Sequence, residues 1–288
     1  MIYSELRTVL AFILLTCFVY GSAQAQPSHT ESNRIITAGG SLTEIMFELG
    51  LGEQIVAVDS SSFYPSQTMQ LPKVGYFRSL AAEGIMSLNP DTVVAAKGAG
   101  PKVVLEQIGA LGVDVKTYNQ STYTLGSWEQ LVKAIGNDFG KIDPAHQLIA
   151  RVKQAVVTQQ AERKYTNQKV NAISLLSIGQ RGPVAAGSNT VPDLLMQLAG
   201  VNNVASDLDG YKPFSTELLA EQSIDMVLVP SHVVDGLGGK TAICENQIIK
   251  LATANQCNLH IVDVLLLMGF GTRLDKATGQ LIDIANGV

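Results

Sequence analysis

The chain has 288 residues, of which 46% are hydrophobic, and its formal net charge is −5. This length is enough for two lobes with cores of their own, and the acidic balance does not favour nucleic acid as a partner. The sequence lacks the nucleophile-elbow, phosphate-loop, dinucleotide and zinc-protease motifs of common enzymes. A secreted α/β enzyme would also need a paired nucleophile and base, so we expect a binding protein that is not an enzyme.

The N-terminus has the pattern of a secretory signal peptide over residues 1–25. Arg7 precedes an apolar run from Val9 to Tyr20, and the letters "AQA" at 23–25 fit a signal peptidase site. Cys17 also permits a lipoprotein, although the residue before it matches that signal poorly. No later apolar run reaches the roughly 20 residues that cross a bilayer. We therefore expect an exported, soluble protein with no stable membrane insertion.

From Arg34 onwards, short β-branched runs alternate with helical segments. Ser41 stands three residues before Glu44, a spacing that predicts a capping box at the first helix. The alternation indicates parallel βαβ units whose ligand-carrying loops lie at the carboxyl ends of the strands. The further elements predicted here are strands at 54–59, 91–96 and 113–118 and helices at 79–89 and 101–112.

A long helix interrupts the alternation. Asp143 and Pro144 predict its start as N-cap and first-turn residue, and apolar positions recur at helical spacing to about residue 165. The alternation then resumes, with strands predicted at 170–179, 225–230 and 259–269 and helices at 190–200, 215–222 and from about 275. The predicted fold class is α/β, with two Rossmann-like lobes joined by a single long helix. The predicted boundaries are an N-terminal lobe over 26–140, an interlobe helix over 141–167 and a C-terminal lobe over 168–288.

Two cysteines remain after the predicted cleavage, Cys244 and Cys257. An oxidising compartment would let them pair across a short loop, and two free thiols are the alternative. A metal site is disfavoured because no histidine or second cysteine stands at ligand spacing.

The candidate site residues stand in loops and at helix starts. Gly75 lets the chain turn before Tyr76, so the phenol is expected to face solvent, although an ordinary half-buried tyrosine is the alternative. His232 follows a predicted strand end, where ligands bind in this architecture. Glu83 and Glu217 occupy equivalent places in two similar segments, each opening a helix. Both carboxylates would also be stabilised there by the helix macrodipole alone.

The segment "LPKVGYFRSLAAEGIMSLNPD" at 71–91 resembles the signature loop of periplasmic hemin-binding proteins that supply ATP-binding-cassette (ABC) importers. The likeness extends through "GGSLTEIMFELGLGEQIVAVD", "VAAGSNTVPDLLMQLAGVNN" and "LLLMGFGTR", so it covers nearly the whole mature chain. The long helix is shared with a wider class of binding proteins for cobalamin, siderophores and metals, class III of the periplasmic binding proteins. Thr272 stands where the family usually has proline.

The resemblance implies that Tyr76 is the axial ligand of ferric heme. A phenol has a pKa near 10 and ionises at neutral pH only beside a strong positive charge, which Fe(III) supplies. Arg78 would then bond the phenolate or a heme propionate. Some relatives add a histidine from the second lobe, where this chain has Gln180 and Arg181, so the iron is expected to be five-coordinate or to take a sixth contact elsewhere. His232 falls roughly where other relatives place a basic residue near the tyrosine oxygen.

The resemblance also implies the partners. In the wider class one glutamate on each lobe meets arginines of the membrane permease, and Glu83 and Glu217 match those positions. The expected function is capture of heme in the periplasm by a monomer and delivery to an ABC permease dimer with its ATPase. A ferric-siderophore or cobalamin carrier is the alternative within the class. A heme-sensing or storage protein without transport is a further alternative.

Overall fold

The computed structural model describes residues 33–164, 169–179, 182–215, 219, 221–236, 238–254 and 256–287. The predicted signal peptide and Cys17 lie outside the described residues. Within the described ranges, no helix is long and apolar enough to cross a membrane.

A four-stranded sheet forms the N-terminal part of the described chain. Its order is β2–β1–β3–β4, and all three pairings are parallel, as the βα alternation predicts. All four residues of β1 are buried, because a parallel sheet is covered on both faces. The strands are β1 (Ile35–Ala38), β2 (Ile55–Val58), β3 (Thr92–Ala96) and β4 (Asp114–Tyr118). The helices are α1 (Gly40–Glu48), α2 (Ala82–Met86), α3 (Lys102–Ala110) and α4 (Leu125–Asp138).

Helix α4 is not among the elements predicted from the sequence. The Thr124 side chain accepts the Ser127 N–H at 3.0 Å, and the Ser127 hydroxyl accepts the Thr124 N–H at 2.9 Å. This reciprocal pair is a capping box that fixes the first turn. One face of the helix is buried at helical spacing, and its members are Trp128, Leu131, Val132 and Ile135.

The long helix is α5 (Ile142–Ala161), which follows α4 directly and precedes the second sheet. It begins one residue before Asp143, so Asp143 and Pro144 both lie in the first turn and Lys141 takes the cap position. The helix ends at Ala161, four residues short of the predicted end at about 165. The lobe boundaries at 140 and 168 remain a prediction.

The second sheet is mixed. Its order is β10–β9–β5–β6–β8, in which β10, β9 and β5 are parallel and β6 and β8 are antiparallel to their neighbours. The strands are β5 (Asn171–Gly179), β6 (Gly182–Ala186), β7 (Asn202–Asn203), β8 (Tyr211–Pro213), β9 (Met226–Pro230) and β10 (Leu259–Val262). The helices are α6 (Val191–Ala199), α7 (Ser231–Gly236), α8 (Lys240–Glu245), α9 (Gln247–Ala252), α10 (Val264–Met268) and α11 (Leu274–Asn286). A disulfide joins Cys244 in α8 to Cys257 before β10, with Cα atoms 5.5 Å apart.

Two further local predictions are wrong. The run at 259–269 is not one strand, because the Asp263 carboxylate accepts the N–H groups of Leu265 and Leu266, both at 3.0 Å, and starts α10. Ser41 and Glu44 do not form a capping box. The N-cap of α1 is Gly39, and both side chains bind the C-terminal segment instead.

One hydrophobic core connects the two sheets. A single buried cluster contains side chains from β1, α1, α4, α5, α6, β9 and α11. Two smaller clusters lie within residues 36–113 and 173–259. Because the largest core includes elements on both sides of α5, the two halves of the chain are packed together and not merely tethered.

Candidate functional site

The loop that carries Tyr76 is fastened to the edge of β2. We call residues 72–79 the tyrosine loop. The Val58 N–H donates to the Pro72 carbonyl at 3.0 Å, and the Val74 N–H donates back to the Val58 carbonyl at 3.1 Å. The Ser60 N–H donates to the Gly75 carbonyl at 2.8 Å. These bonds carry the loop past the carboxyl end of β2, the end at which ligands bind in parallel α/β sheets.

A tight turn presents the phenol of Tyr76. Gly75 has φ of +91°, a conformation that glycine adopts without steric cost, and the Ser79 N–H donates to the Tyr76 carbonyl at 2.8 Å. The Tyr76 side chain is 46% exposed. Its ring meets the Phe77 ring edge to face, with centroids 4.9 Å apart. The backbone is therefore fixed while the hydroxyl end of the side chain remains accessible.

Arg78 lies on the side of the tyrosine loop that faces the β3–α3 connection. Its guanidinium is 4.9 Å from the centroid of the Phe77 ring, and a Cβ added to Gly98 would lie 3.0 Å from its Nη1 atom. The Gly100 N–H donates to the Phe77 carbonyl at 2.9 Å, which fastens this side of the loop. Within the described ranges the guanidinium of Arg78 makes no hydrogen bond. Its donors are therefore available to a ligand.

A second loop, residues 59–71, adjoins the tyrosine loop and is held by buried polar groups. The Asp59 carboxylate accepts from the Gly39 N–H at 2.9 Å and the Ser62 hydroxyl at 2.6 Å. The Lys73 ammonium donates to the carbonyls of Ser62 and Thr68, each at 3.0 Å. Burial lowers the pKa of Lys73, and the charge of Asp59 acts against that shift. The loop is thus held by hydrogen bonds to Gly39, which follows β1, and to Lys73 of the tyrosine loop.

The same loop exposes two large apolar side chains beside the tyrosine loop. Phe63 is 51% exposed and Met69 is 61% exposed. Neither residue is among the site residues predicted from the sequence. The available signal was the presence of large apolar residues in a Ser-, Gln- and Pro-containing loop beyond a strand end. Exposed apolar side chains at such a position suit the face of a flat apolar ligand.

The other predicted site residues are dispersed. His232 is exposed in the first turn of α7, immediately after β9, so it stands on a helix and not in a loop. Glu83 is exposed in the first turn of α2. Gln180, Arg181 and Glu217 lie outside the described residues. The structure therefore brings Tyr76 and Arg78 together on one turn, and no described contact joins His232 to them.

The carboxyl ends of the two sheets meet through α1 and the C-terminal segment. A Cβ added to Gly40, at the start of α1, would lie 3.2 Å from a methyl of Leu265 in α10. Helix α1 follows β1, and α10 follows β10, so this contact joins the ligand-binding ends of both sheets. We call the contact of residues 270–273 with α1 and α4 the joint. In the joint, the Phe270 N–H donates to the Ser41 hydroxyl at 2.9 Å and the Trp128 indole N–H donates to the Gly271 carbonyl at 2.7 Å.

Comparison with known proteins gives one family and consistent structural neighbours. The model of the family described as "Periplasmic binding protein" matches residues 35–256. The chain is similar to the periplasmic heme-binding protein RhuT from Roseiflexus sp. RS-1 in apo form, with a TM-score of 0.82 and 31% identity over 89% of this chain and 98% of that one. It is also similar to the periplasmic heme-binding protein HutB of Vibrio cholerae, with a TM-score of 0.79 and 32% identity over 88% of this chain and 98% of that one.

Two further relatives bear on the ligand. The periplasmic heme-binding protein BhuT, in complex with two hemes, gives a TM-score of 0.81 and 30% identity over 88% of this chain and 98% of that one. The vitamin B12-binding protein of Yersinia pseudotuberculosis is 26% identical over 204 residues, 68% of this chain. The match spans 66% of that relative, slightly under two thirds of its length.

Proposed function

The chain belongs to the family of periplasmic binding proteins, and from that premise we propose that it captures ferric heme through Tyr76 and delivers it to an ABC permease. The observation that carries the proposal is the 46% exposed phenol on a fixed turn at the ligand-binding end of the N-terminal sheet. Proteins of this family carry substrates to transporters, so no catalytic residues are assigned.

The chemistry of a tyrosine suits this cargo. A phenolate is a hard, anionic oxygen ligand and stabilises ferric iron over ferrous iron, which lets an oxidised cargo be carried without redox chemistry. The turn at Gly75 holds the backbone of Tyr76 before the ligand arrives, so little ordering is needed on binding. Heme would therefore be bound by a largely preformed site.

The neighbouring side chains supply the rest of a heme site in this proposal. Arg78 would bond a propionate or the phenolate, because its donors are free and it stands two residues from Tyr76. Phe63 and Met69 would cover apolar parts of the porphyrin. A sixth ligand to the iron would come from His232, whereas Gln180 and Arg181 would contact the heme without coordinating the iron.

Support for heme over other cargoes comes from the comparisons. The three structural neighbours named above are heme-binding proteins at 30–32% identity, and each is covered over 98% of its length. The vitamin B12-binding relative favours a second candidate, a corrinoid carrier, at lower identity and coverage. A ferric siderophore is the remaining candidate of the class.

A competition titration separates these candidates. The purified mature protein is titrated with hemin, with cyanocobalamin and with hemin in the presence of excess cyanocobalamin, and binding is followed by heme absorbance and by calorimetry. The proposal predicts saturable hemin binding that cyanocobalamin does not reduce. Saturable cobalamin binding without hemin binding would overturn the heme assignment and support the corrinoid carrier.

Transport is the second part of the proposal. Glu83 and Glu217 would dock the protein on a two-fold permease with its ATPase, one carboxylate on each lobe, which would orient the complex more than tighten it. Export to the periplasm would use the signal at residues 1–25, and the carrier would act as a monomer. Charge reversal to Glu83→Lys and Glu217→Lys should preserve hemin binding and abolish heme-dependent growth. Unchanged growth would favour a sensing or storage role.

A further inference from the structure

A second contact between the halves of the chain adjoins the joint. The loop after β4, residues 119–124, meets the loop after β6, residues 187–190. The Tyr123 N–H donates to the Asn189 side-chain oxygen Oδ1 at 3.2 Å, and the Asn189 Nδ2 donates to the Ser121 carbonyl at 3.1 Å. One amide side chain therefore pairs with two backbone groups of the other half of the chain, in the way that a strand neighbour would.

Asn189 projects from a rigid base. Its φ is +57°, in the left-handed region that asparagine tolerates better than most residues. The Ser188 N–H donates to the Leu208 carbonyl at 2.7 Å, and the Gly210 N–H donates to the Ser188 carbonyl at 2.8 Å. Gly187 packs directly on the Leu208 carbonyl, with no room for a Cβ. The position of the Asn189 amide is therefore fixed by its own half of the chain before it pairs.

An aromatic pair links this contact to the joint. The Tyr123 ring meets the Phe270 ring edge to face, with centroids 5.1 Å apart and planes 83° apart. The loop at 119–124 follows β4, the terminal strand of its sheet, and Ser188 forms a β-bridge with Asp209, two residues before the terminal strand β8 of the other sheet.

The two contacts between the halves differ in burial. In the joint, Glu44 is 3% exposed and its carboxylate receives charged donors, so separation would leave charges unpaired. Asn189 and Ser121 are exposed, and water can replace their hydrogen bonds at small net cost. The joint is therefore suited to stay closed as a pivot, and the Asn189 contact is suited to open.

We propose that the pairing of Asn189 with residues 121–123 is an interlobe latch. It sets the gap between the two halves beside the loop that follows β4, and thereby the rate at which bound ligand leaves. The link to release of heme rests on the proposed function, whereas the gap is a property of the protein alone.

The chain offers a matched pair of substitutions. Asn189→Gly removes the amide and keeps the left-handed backbone without strain. Asn89→Gly is the control, because Asn89 is also left-handed, with φ of +45°, and its described hydrogen bonds, to Arg34 and Met86, use only its backbone groups. Asn189→Asp keeps the acceptor for Tyr123 and loses the donor to Ser121.

The gap is measured by pulsed electron paramagnetic resonance in the ligand-free protein. Spin labels are placed at Val103 on α3 and Leu251 on α9, which are 66% and 49% exposed. Asn189→Gly should broaden the distance distribution and shift it to longer distances, Asn189→Asp should give an intermediate shift, and Asn89→Gly should give none. Release of hemin to an excess of a heme scavenger should be about tenfold faster in Asn189→Gly than in Asn89→Gly.

The two readouts separate the latch from the choice of ligand. Identical distance distributions in Asn189→Gly and Asn89→Gly would overturn the latch, and a longer gap with unchanged release would overturn its control of release. Faster release in both glycine variants would also contradict it. If the parent protein did not bind hemin at all, the proposed function would fail, while the distance measurement would still decide whether the latch exists.

Discussion

The carboxylate of Glu44 in α1 receives the guanidinium of Arg273 at 2.6 Å, across 229 residues of sequence. Burial acts to lower the pKa of Arg273, but the hydrogen bond and charge of Glu44 raise it overall. Arg273 also lies 4.0 Å from the centroid of the Tyr64 ring. This pair therefore connects α1, the C-terminal segment and the loop beside the proposed heme site.

Removing the carboxylate should destabilise the protein. Glu44→Gln leaves the mostly buried Arg273 without its hydrogen-bonded counter-charge, and such a loss costs about 3 kcal/mol of the free energy of unfolding. Glu48→Gln is the control on the same helix, since Glu48 pairs with Arg151 at the surface and such pairs contribute about 0–1 kcal/mol. Urea unfolding measures both. Equal losses of unfolding free energy in the two variants would show that the Glu44–Arg273 pair stabilises the protein no more than a surface ion pair does.

A methyl group at Gly98 should disturb Arg78. Gly98→Ala strains a left-handed residue with φ of +80° and places a Cβ 3.0 Å from the Arg78 Nη1 atom. Gly50→Ala introduces the same kind of backbone strain at φ of +74° with nothing within 4 Å. Both should lose about 1 kcal/mol of stability. Hemin affinity should fall several-fold only in Gly98→Ala, and an equal affinity in both variants would remove Arg78 from the proposed site.

The disulfide should contribute a substantial part of the stability of the C-terminal half. It closes a loop with a sequence separation of 13, for which the chain-entropy model gives about 3 kcal/mol. The double substitution Cys244→Ser with Cys257→Ser should therefore lower the urea midpoint. Reductant should lower the midpoint of the parent and not that of the double variant. A parent that is insensitive to reductant, with an unchanged double variant, would contradict the expectation.

His260 should make the protein less stable in mild acid. Burial, and secondarily the charge of Lys240, lowers the pKa of His260 below its ordinary value near 6.5. Between these two pKa values the unfolded chain binds more protons than the folded one, so stability is full above about pH 6.5 and falls as the pH decreases. His260→Gln should reduce the pH dependence of the urea midpoint between about pH 7 and 5. His146→Gln, at an exposed position of α5, is the control and should leave that dependence unchanged.

The regular part of the fold follows from local patterns. Strands β1 to β4 and the long helix were predictable because their apolar residues recur at a fixed period. Helix α4 was also predictable, since Thr124 and Ser127 give a capping signal before a buried stripe. The run at 259–269 was misassigned because a short apolar stretch fits a strand or a helix equally well, and Asp263 decides between them as an N-cap.

Long-range pairing could not be predicted in the same way. Ser41 and Glu44 have the spacing of a capping box, yet their partners are Phe270 and Arg273, more than two hundred residues away. No local pattern carries that information. The position of Tyr76 on an exposed turn was predictable from Gly75. The bonds that fasten the loop to β2 could not be predicted, because they are made by backbone groups that every residue type has.

The central claim is tested most directly by an absorbance titration of the mature protein, Tyr76→Phe and Tyr64→Phe with hemin. Tyr76→Phe keeps the ring that meets Phe77 and removes only the hydroxyl, and Tyr64→Phe removes a second exposed hydroxyl while keeping the ring on Arg273. We predict saturable binding with the charge-transfer band of phenolate-bound ferric heme in the parent and in Tyr64→Phe, and loss of that band with much weaker binding in Tyr76→Phe. An unchanged band and affinity in Tyr76→Phe would contradict the assignment of Tyr76 as the iron ligand.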